Sequence, residues 1–238
     1  VVMLKPYYAI LLTLAWLNST WAQDNSFDAG LAALKRGHYA TAMRAWIKMA
    51  NEGVAEAQNN VGHLYEEGFG VAQDYPKAMS WYKQAAEQGL AEAQHNIGML
   101  YYEGYGVKKN YREAVKWFKL ATAQKLPDAQ YMLALAYHQG QGVTMNYKFA
   151  KVWYLESAKQ GYANAQFMYA FMLQAGDMGE PDPLKALAWS EIARRNGRED
   201  SSDIGDLSKL QLTEEEIAKA SQLAELCLSS NYKSCPTF

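Results

Sequence analysis

The sequence has little cysteine. Only Cys227 and Cys235 occur among its 238 residues, and both lie close to the C-terminus. An even number of cysteines in an exported chain favours pairing, because such a chain meets an oxidising compartment. We therefore expect a disulfide between these two residues that pins the tail without holding the rest of the fold together.

The sequence also lacks an excess of basic charge. It has 23 lysines and arginines against 25 aspartates and glutamates, whereas nucleic-acid binding needs a basic stripe, so we expect no nucleic-acid partner. The four histidines, His38, His63, His95 and His138, fall in a turn and in three different helical columns, and nothing in their spacing makes them converge. His63 and Glu66 share a helix face, which we interpret as a solvated pair. We expect neither a metal site nor a cofactor.

A long hydrophobic run is missing as well. The apolar stretch from Tyr7 to Leu17 is shorter than the roughly 20 residues that span a bilayer. Lys5 precedes this stretch, and Thr20-Trp21-Ala22 follows it as a small-residue cleavage site. We predict a signal peptide over residues 1–22 and an exported chain with no stable membrane span after cleavage. An uncleaved anchor is the alternative, and a periplasmic or a secreted destination stays open, with the periplasm favoured.

The sequence is rich in one repeated pattern. The stretch 91–126 recurs with a constant offset of 36 residues, once before and twice after, which identifies a repeat array. Four columns show the offset most clearly: Gln58, Gln94, Gln130 and Gln166; Trp81, Trp117, Trp153 and Trp189; Ala57, Ala93, Ala129 and Ala165; Ala78, Ala114, Ala150 and Ala186.

Each copy predicts two helices separated by a glycine loop. In the second copy, apolar residues at helical spacing precede Gly104-Tyr-Gly-Val107, and the first glycine suits the left-handed position just past a helix end. The following helix starts after a polar capping residue in every copy, at Asp74, Asn110, Asn146 and Asp182. Its buried face is predicted to contain Tyr111, Ala114, Trp117 and Ala121.

The pattern of the copies is A-x-A-Q-x₂-h-G-x₂-Y-x₂-G-x-G-V, followed at constant spacing by tyrosine, alanine and tryptophan. This pattern resembles the SEL-one-like repeat. The resemblance covers roughly residues 55–197 and is weakest in the last copy, where the second glycine and the valine are replaced. It implies an all-α fold, a right-handed α-α superhelix of tetratricopeptide-like helix-loop-helix repeats. Such solenoids bind proteins or peptides, so the resemblance implies no catalytic chemistry.

The repeats define the organisation of the chain. After the signal peptide we predict a capping hairpin at 23–54, repeats at 55–90, 91–126 and 127–162, and a degenerate repeat at 163–198. Residues 199–238 form a linker, a C-terminal capping helix and a tail. Thr213 and Glu216 make a capping box at the start of that helix, which would cover the exposed face of the last repeat.

Columns repeated in every copy are best explained by packing and hydrogen bonding. We interpret the glutamine column as half-buried amides that bond to the backbone of the neighbouring hairpin, and the tryptophans as core residues. Partner binding is then expected where chemistry varies from copy to copy. The first helix of each hairpin carries such a face, here called the variable stripe: Asn59, His63, Glu66; His95, Met99, Tyr102; Tyr131, Leu135, His138; Phe167, Phe171, Gln174.

The partner-binding candidates on the variable stripe are His63, His95, Met99, Tyr102, Tyr131, Leu135, His138, Phe167 and Phe171. First helices line the concave surface of tetratricopeptide-like solenoids, so we expect a groove that becomes more aromatic towards the C-terminus, with Tyr102, Tyr131 and His138 most important. The alternative is that Phe167 and Phe171 pack beneath the C-terminal helix.

We therefore interpret the chain as a non-enzymatic scaffold of the cell envelope or the exterior that binds a protein or peptide segment. Two alternatives stay open. Cysteine-rich members of the family are associated with β-lactam binding or hydrolysis, but they carry a cysteine pair in each repeat and this chain has none there. The chain could also be a secreted factor that meets host proteins. The oligomeric state is not predicted.

Overall fold

The computed structural model describes residues 26–177 and 179–237, and these residues form twelve α-helices and one 3-10 turn without any β-strand. Residues 26–35 are helical and form α1. The other elements are α2 (Tyr39–Asn51), α3 (Ala55–Glu67), α4 (Tyr75–Glu87), α5 (Ala91–Glu103), α6 (Tyr111–Ala123), α7 (Pro127–Gln139), α8 (Tyr147–Ala158), α9 (Ala163–Ala175), α10 (Pro183–Arg195), the 3-10 turn (Glu199–Ser201), α11 (Ser202–Lys209) and α12 (Glu214–Ser229). The prediction of an all-α repeat fold is confirmed. The predicted signal peptide lies outside the described residues and stays a prediction.

The helix boundaries follow the capping signals in the sequence. The first helix of each copy ends at a glycine whose φ of 69–80° is left-handed, where a side chain would be strained: Gly68, Gly104, Gly140 and Gly176. The second helix of each copy starts after an Asp or Asn whose side chain accepts hydrogen bonds from first-turn amides: Asp74, Asn110, Asn146 and Asp182. Each copy is therefore delimited by its own sequence.

The described chain divides into two compact units, one formed by residues 26–100 and 104–108 and the other by residues 101–103 and 109–237. In the first unit, α1 and α2 form a short hairpin that packs on α3 through the fully buried Trp46. The Trp46 indole donates to the carbonyl of Phe27, and Gly30 gives the ring its space, since a Cβ there would lie 2.2 Å from the indole nitrogen. In the second unit, helices α6 to α10 pack in consecutive pairs, and α11 and α12 both pack on α10.

The most deeply buried aromatic column is shifted by one residue from the predicted one. Trp117 is only half-buried, whereas Phe118, the next residue, is completely buried. Tyr82 and Tyr154 occupy the same column as Phe118 and are also completely buried. The prediction that Trp117 belongs to the fully buried core was therefore wrong. Tyr111, on the same predicted face, is half-buried too, while both alanines of that face are buried.

The glutamine column joins neighbouring helices and is more deeply buried than expected. All four side chains are less than 9% exposed: Gln58, Gln94, Gln130 and Gln166. The amide nitrogens of Gln58 and Gln166 donate to Ala50 and Ala158 of the preceding hairpin, at 3.1 and 3.0 Å. Their bonding to the neighbouring backbone was thus predicted correctly, whereas their half-burial was not.

A second amide column completes this network. Gln88 donates to the Oε1 atom of Gln58 at 2.8 Å, and Gln160 donates to Gln130 at 2.7 Å. Asn196 takes the same position in the last copy and donates to the Oε1 atom of the glutamine 30 residues earlier, at 2.8 Å. In Gln58 and Gln166 both the oxygen and the nitrogen of the buried amide therefore have hydrogen-bond partners, which offsets the penalty of burying them.

The C-terminal segment covers α10. Helix α12 begins with the predicted capping box of Thr213 and Glu216 and packs on α10 together with α11. A disulfide joins Cys227 at the end of α12 to Cys235 in the tail. The tail then reaches the core, where the buried indole of Trp189 donates to the Pro236 carbonyl at 2.8 Å. Across the described part of the chain, none of the helices is both long and apolar enough for a bilayer span.

Candidate interaction surfaces

In the first copy, the variable stripe is polar, and its last member, Glu66, accepts a hydrogen bond from the following helix. The hydroxyl of the buried Tyr82 in α4 donates to the Oε2 atom of Glu66 in α3, at 2.5 Å. Burial raises the pKa of the Glu66 carboxyl, although the Tyr82 hydrogen bond and the nearby His63 oppose this effect. The ligand atoms of His63, Glu66 and Glu67 all lie within 4.8 Å of one another, so these three residues could together hold a cation.

Two other stripe members of the first unit, Asn59 of α3 and His95 of α5, both contact Asn96. Asn96 donates to Asn59 at 3.0 Å, and the Nδ1 atom of His95 lies 3.4 Å from the Oδ1 atom of Asn96. Both His95 and Met99 are half-buried. The stripe is therefore mostly polar and partly packed here.

In the second unit, the stripe begins as a tyrosine cluster. The Tyr102 ring contacts Phe118 of α6, with 6.4 Å between ring centroids. Tyr131 of α7 packs between Tyr154 of α8 and Tyr162 at the start of α9, at 5.7 and 5.4 Å. Burial raises the pKa of both Tyr102 and Tyr131. The nearby Tyr111 raises the pKa of Tyr102 by a smaller amount, whereas Arg198 partly opposes the effect of burial on the pKa of Tyr131. These rings are thus rigidly held and partly removed from water.

His138 continues this surface one helical turn beyond Leu135, which is half-buried. The imidazole lies edge-on against Tyr147 and Tyr154, with centroid distances of 5.3 and 6.1 Å. Its Nε2 atom is 3.8 Å from the Oδ2 atom of Asp177 in the loop after α9. That separation is too long for a hydrogen bond, but protonation of the imidazole would create an attractive ion pair.

The two phenylalanines of α9 have different environments. Phe167 is half-buried, and the guanidinium of Arg198 stacks on its ring at 4.7 Å. Phe171 is 42% exposed, so the alternative that it packs beneath the C-terminal helix is wrong. Helix α12 packs on α10, and α11 contacts α9, where Ser208 donates a hydrogen bond to Gln174.

The nine partner-binding candidates therefore differ in exposure. Eight are half-buried, and only Phe171 is exposed. The stripe was expected to be an exposed face, but its half-buried rings also stabilise the fold by packing on the second helix of each hairpin. Replacing Tyr102 and Tyr131 by alanine would remove these ring contacts, so a binding role for those residues cannot be separated from stability by truncation.

A second apolar surface was missed at the start of α8. It comprises four exposed side chains, here called the α8 patch: Met145, Tyr147, Phe149 and Val152. The repeat columns of the sequence already indicated this surface. Phe149 takes a position where the other copies have Lys77, Glu113 and Lys185, so an apolar residue there departs from the framework.

Comparison with known proteins agrees with this architecture. The Sel1 repeat matches four consecutive segments, residues 55–90, 91–126, 127–162 and 163–197, which make up more than half of the chain. Among curated proteins, none matches this chain. Several solved structures share its fold.

The crystal structure of c5321, a protective antigen of uropathogenic Escherichia coli strains with an SLR fold, superposes with a TM-score of 0.78 at 29% identity. The match covers 88% of this chain and 47% of c5321, so this chain spans about half the length of that protein. A Sel1 repeat protein from Oxalobacter formigenes gives a TM-score of 0.67 at 29% identity, with 79% of each chain covered. The immunity protein Pa5087 from Pseudomonas aeruginosa gives 0.57 at 18% identity over 91% of this chain and 85% of its own, a likeness of fold alone.

The four consecutive repeat matches, the left-handed glycine at the end of each first helix and the Asx cap before each second helix agree with one another. They confirm the resemblance seen in the sequence. This chain belongs to the Sel1 repeat family.

Proposed function

We propose that this chain is a non-enzymatic scaffold that binds an extended segment of a protein or peptide partner along the variable stripe. The observation that carries the proposal is the aromatic part of that stripe in the second unit. There, aromatic side chains lie on successive first helices, at Tyr102, Tyr131, Phe167 and Phe171. The general role of Sel1 repeat proteins in protein interaction supports the same conclusion.

The packing of these rings suits them to binding. Tyr131 is held between two other tyrosines, and Phe167 lies under the Arg198 guanidinium, so neither ring loses much freedom when a partner covers it. Rigid aromatic side chains offer large contact area at low entropic cost, which is typical of binding hot spots. Phe171 adds an exposed ring at the edge of this surface.

The α8 patch is a rival surface, but it is confined to one copy. The aromatic stripe continues across copies, which matches the shape of an extended segment better than a single cluster does. Exposed apolar patches of either kind mark interaction surfaces. The two surfaces can be separated by one experiment.

A scaffold role is also favoured over an enzymatic one. The disulfide of the described chain lies after the repeats, unlike the per-repeat cysteine pairs of the β-lactam-associated relatives. A nitrocefin assay should accordingly show no hydrolysis above background.

We place the scaffold in the cell envelope or outside the cell, with the periplasm favoured over secretion. The apolar run from Tyr7 to Leu17 with its cleavage site and the Cys227–Cys235 disulfide support this location. The similarity to c5321, a protective antigen, supports it as well. Protein recovered from the periplasmic fraction should begin at Gln23. Recovery from the cytoplasm with Lys5 still attached would contradict the proposal.

The binding surface is tested by partner capture from a native envelope extract, with residues 23–238 as bait. Phe171→Ala is the informative variant because its side chain is exposed, so its effect on stability should stay within about 0.5 kcal/mol. Phe149→Ala is the matched control, since Phe149 is 52% exposed on the α8 patch.

We expect the bait with Phe171→Ala to capture much less partner than the unchanged bait. The bait with Phe149→Ala should capture as much as the unchanged bait. The reverse result would move the interface to the α8 patch and refute the stripe. Retention of the partner by both variants would show that neither aromatic surface binds it.

A further inference from the structure

Three metal-ligating side chains meet at the end of α3. His63, Glu66 and Glu67 are spaced i, i+3 and i+4, which places them on the same turn of the helix. Their ligand atoms lie within 4.8 Å of one another. In a tetrahedral zinc site the ligand atoms are about 3.4 Å apart, since each lies about 2.0–2.2 Å from the metal. Small side-chain rotations therefore suffice to bring all three onto one ion.

Within the described part of the chain, no lysine or arginine forms an ion pair with Glu66 or Glu67. Glu66 is also partly desolvated, and burial is the main reason that its pKa is raised. The position at the C-terminal end of a helix adds negative electrostatic potential from the backbone carbonyls. A bound cation would compensate for all of these effects.

The ligands are also oriented by their surroundings. The Tyr82 hydroxyl donates to one carboxylate oxygen of Glu66 and leaves the other free. Such a hydrogen bond from behind a metal ligand commonly fixes its orientation. The His63 ring lies edge-on to Phe69 at 6.1 Å, which limits its rotation. The Gln73 amide donates to the Glu66 carbonyl at 2.8 Å and holds the backbone of the same turn.

This set of ligands belongs to the first copy alone. At the His63 position the later copies have Met99, Leu135 and Phe171, and none of these offers an imidazole or a carboxylate. The framework of the repeat therefore does not require His63, and a role in packing does not explain it. The prediction of no metal site rested on the separate positions of the four histidines and on the interpretation of His63 and Glu66 as a solvated pair, whereas here Glu67 offers a third ligand.

We propose that His63, Glu66 and Glu67 bind a first-row divalent metal ion of the zinc class. An imidazole with two carboxylates suits Zn²⁺ better than Ca²⁺ or Mg²⁺, which prefer oxygen ligands alone. Three protein ligands leave a fourth tetrahedral position for water or for a side chain of a bound molecule. The site lies in the first unit and uses none of the aromatic stripe residues of the second unit.

Isothermal titration of the metal-depleted protein, purified without a histidine tag, with Zn²⁺ tests the proposal. We expect one ion to bind per chain and a rise in the melting temperature on binding, because the metal binds the folded state. His63→Met should weaken binding at least tenfold, and it should fold normally because Met99 occupies the equivalent position. Tyr82→Phe, which matches Phe118, should weaken it about 10- to 100-fold by releasing Glu66.

Two exposed residues provide controls. His38→Gln and Glu56→Gln remove an imidazole and a carboxylate elsewhere in the first unit and should leave the affinity unchanged. Far-UV circular dichroism confirms that each variant is folded. The absence of a saturable site with one ion per chain would overturn the proposal. So would unchanged affinity in folded His63→Met, because the ion would then bind elsewhere.

Discussion

Two tyrosines in the same repeat column should respond in opposite ways to the loss of their hydroxyls. Tyr82 and Tyr154 are 72 residues apart, and both side chains are fully buried. The Tyr82 hydroxyl donates to the Glu66 carboxylate, whereas the Tyr154 hydroxyl has no hydrogen-bond partner. Phe118 shows that the column accepts phenylalanine. Each tyrosine can therefore be changed to phenylalanine without a change of shape.

The expected magnitudes follow from the hydrogen bonds. A hydrogen bond to a charged group contributes about 1.5–3 kcal/mol, and because Glu66 keeps some contact with water we expect Tyr82→Phe to cost about 1.5 kcal/mol. An unpaired buried hydroxyl is unfavourable by about 1–3 kcal/mol, so Tyr154→Phe should stabilise the protein by about 1 kcal/mol. In a chain of this length 1 kcal/mol corresponds to about 2–4 °C in melting temperature.

The comparison requires urea denaturation and calorimetry at pH 7, with a chelator present so that metal binding does not contribute. The two variants should differ by about 2.5 kcal/mol, with opposite signs relative to the unchanged protein. A loss of stability in Tyr154→Phe comparable to that in Tyr82→Phe would refute the reasoning. It would mean that the Tyr154 hydroxyl has a partner in solution.

Three further predictions follow from burial, the disulfide and charge. Phe118→Ala should lower the free energy of unfolding by about 3–5 kcal/mol, and the loss in Trp117→Ala should be smaller by at least about 1 kcal/mol. Equal shifts in the urea midpoint would contradict the one-residue correction of the core. Reduction of the Cys227–Cys235 disulfide should cost roughly 2.5 kcal/mol by chain entropy, measured as the shift in urea midpoint; two thiols titrating in native protein would show that the bond is absent. Because burial raises the pKa of Glu66 above its ordinary 4.5 in the folded state, its protonated form stabilises the fold below pH 4.5, and this contribution is lost as pH rises through the folded pKa. In metal-free protein, Glu66→Gln should remove this pH-dependent loss of stability. If the stability of the variant changed between pH 4 and pH 7 by as much as that of the unchanged protein, Glu66 would not be desolvated.

The capping residues and the repeat period were predictable because each depends on local chemistry. Gly104 needs a left-handed φ, and Asn110 accepts amide hydrogen bonds from its own helix, whatever the rest of the chain does. The depth of burial was harder to predict. Neighbouring residues such as Trp117 and Phe118 both fall within the wide apolar face of one helix, and recurrence in every copy favoured the tryptophan. In α6 the smaller Phe118 takes the interior position, yet Trp46 and Trp189 are completely buried elsewhere, so residue type alone does not decide the depth of burial.

The interaction surface was predicted less completely than the fold. Variation between copies identified the stripe, but it does not show how far each side chain is covered by the second helix. Tyr131 looked exposed from its column, yet its ring lies against Tyr154. The α8 patch shows the opposite case, because Phe149 is apolar in a column that is otherwise charged. Comparing each residue with its own column detects such a departure, whereas helical periodicity alone does not.

The paired amides bear on how such arrays grow and shrink during evolution. Gln130 and Gln160 belong to the same copy, so duplication of that copy would carry a complete donor and acceptor with it. The remaining bond, as from Gln166 to Ala158, requires only a main-chain carbonyl at the end of whichever copy comes before. A gene could therefore gain or lose 36 residues in frame without leaving a buried amide unpaired. The final copy is also joined to the tail, because Asn196 there donates to the Tyr232 hydroxyl. For protein engineers, the natural place to insert consensus copies is before this closing repeat.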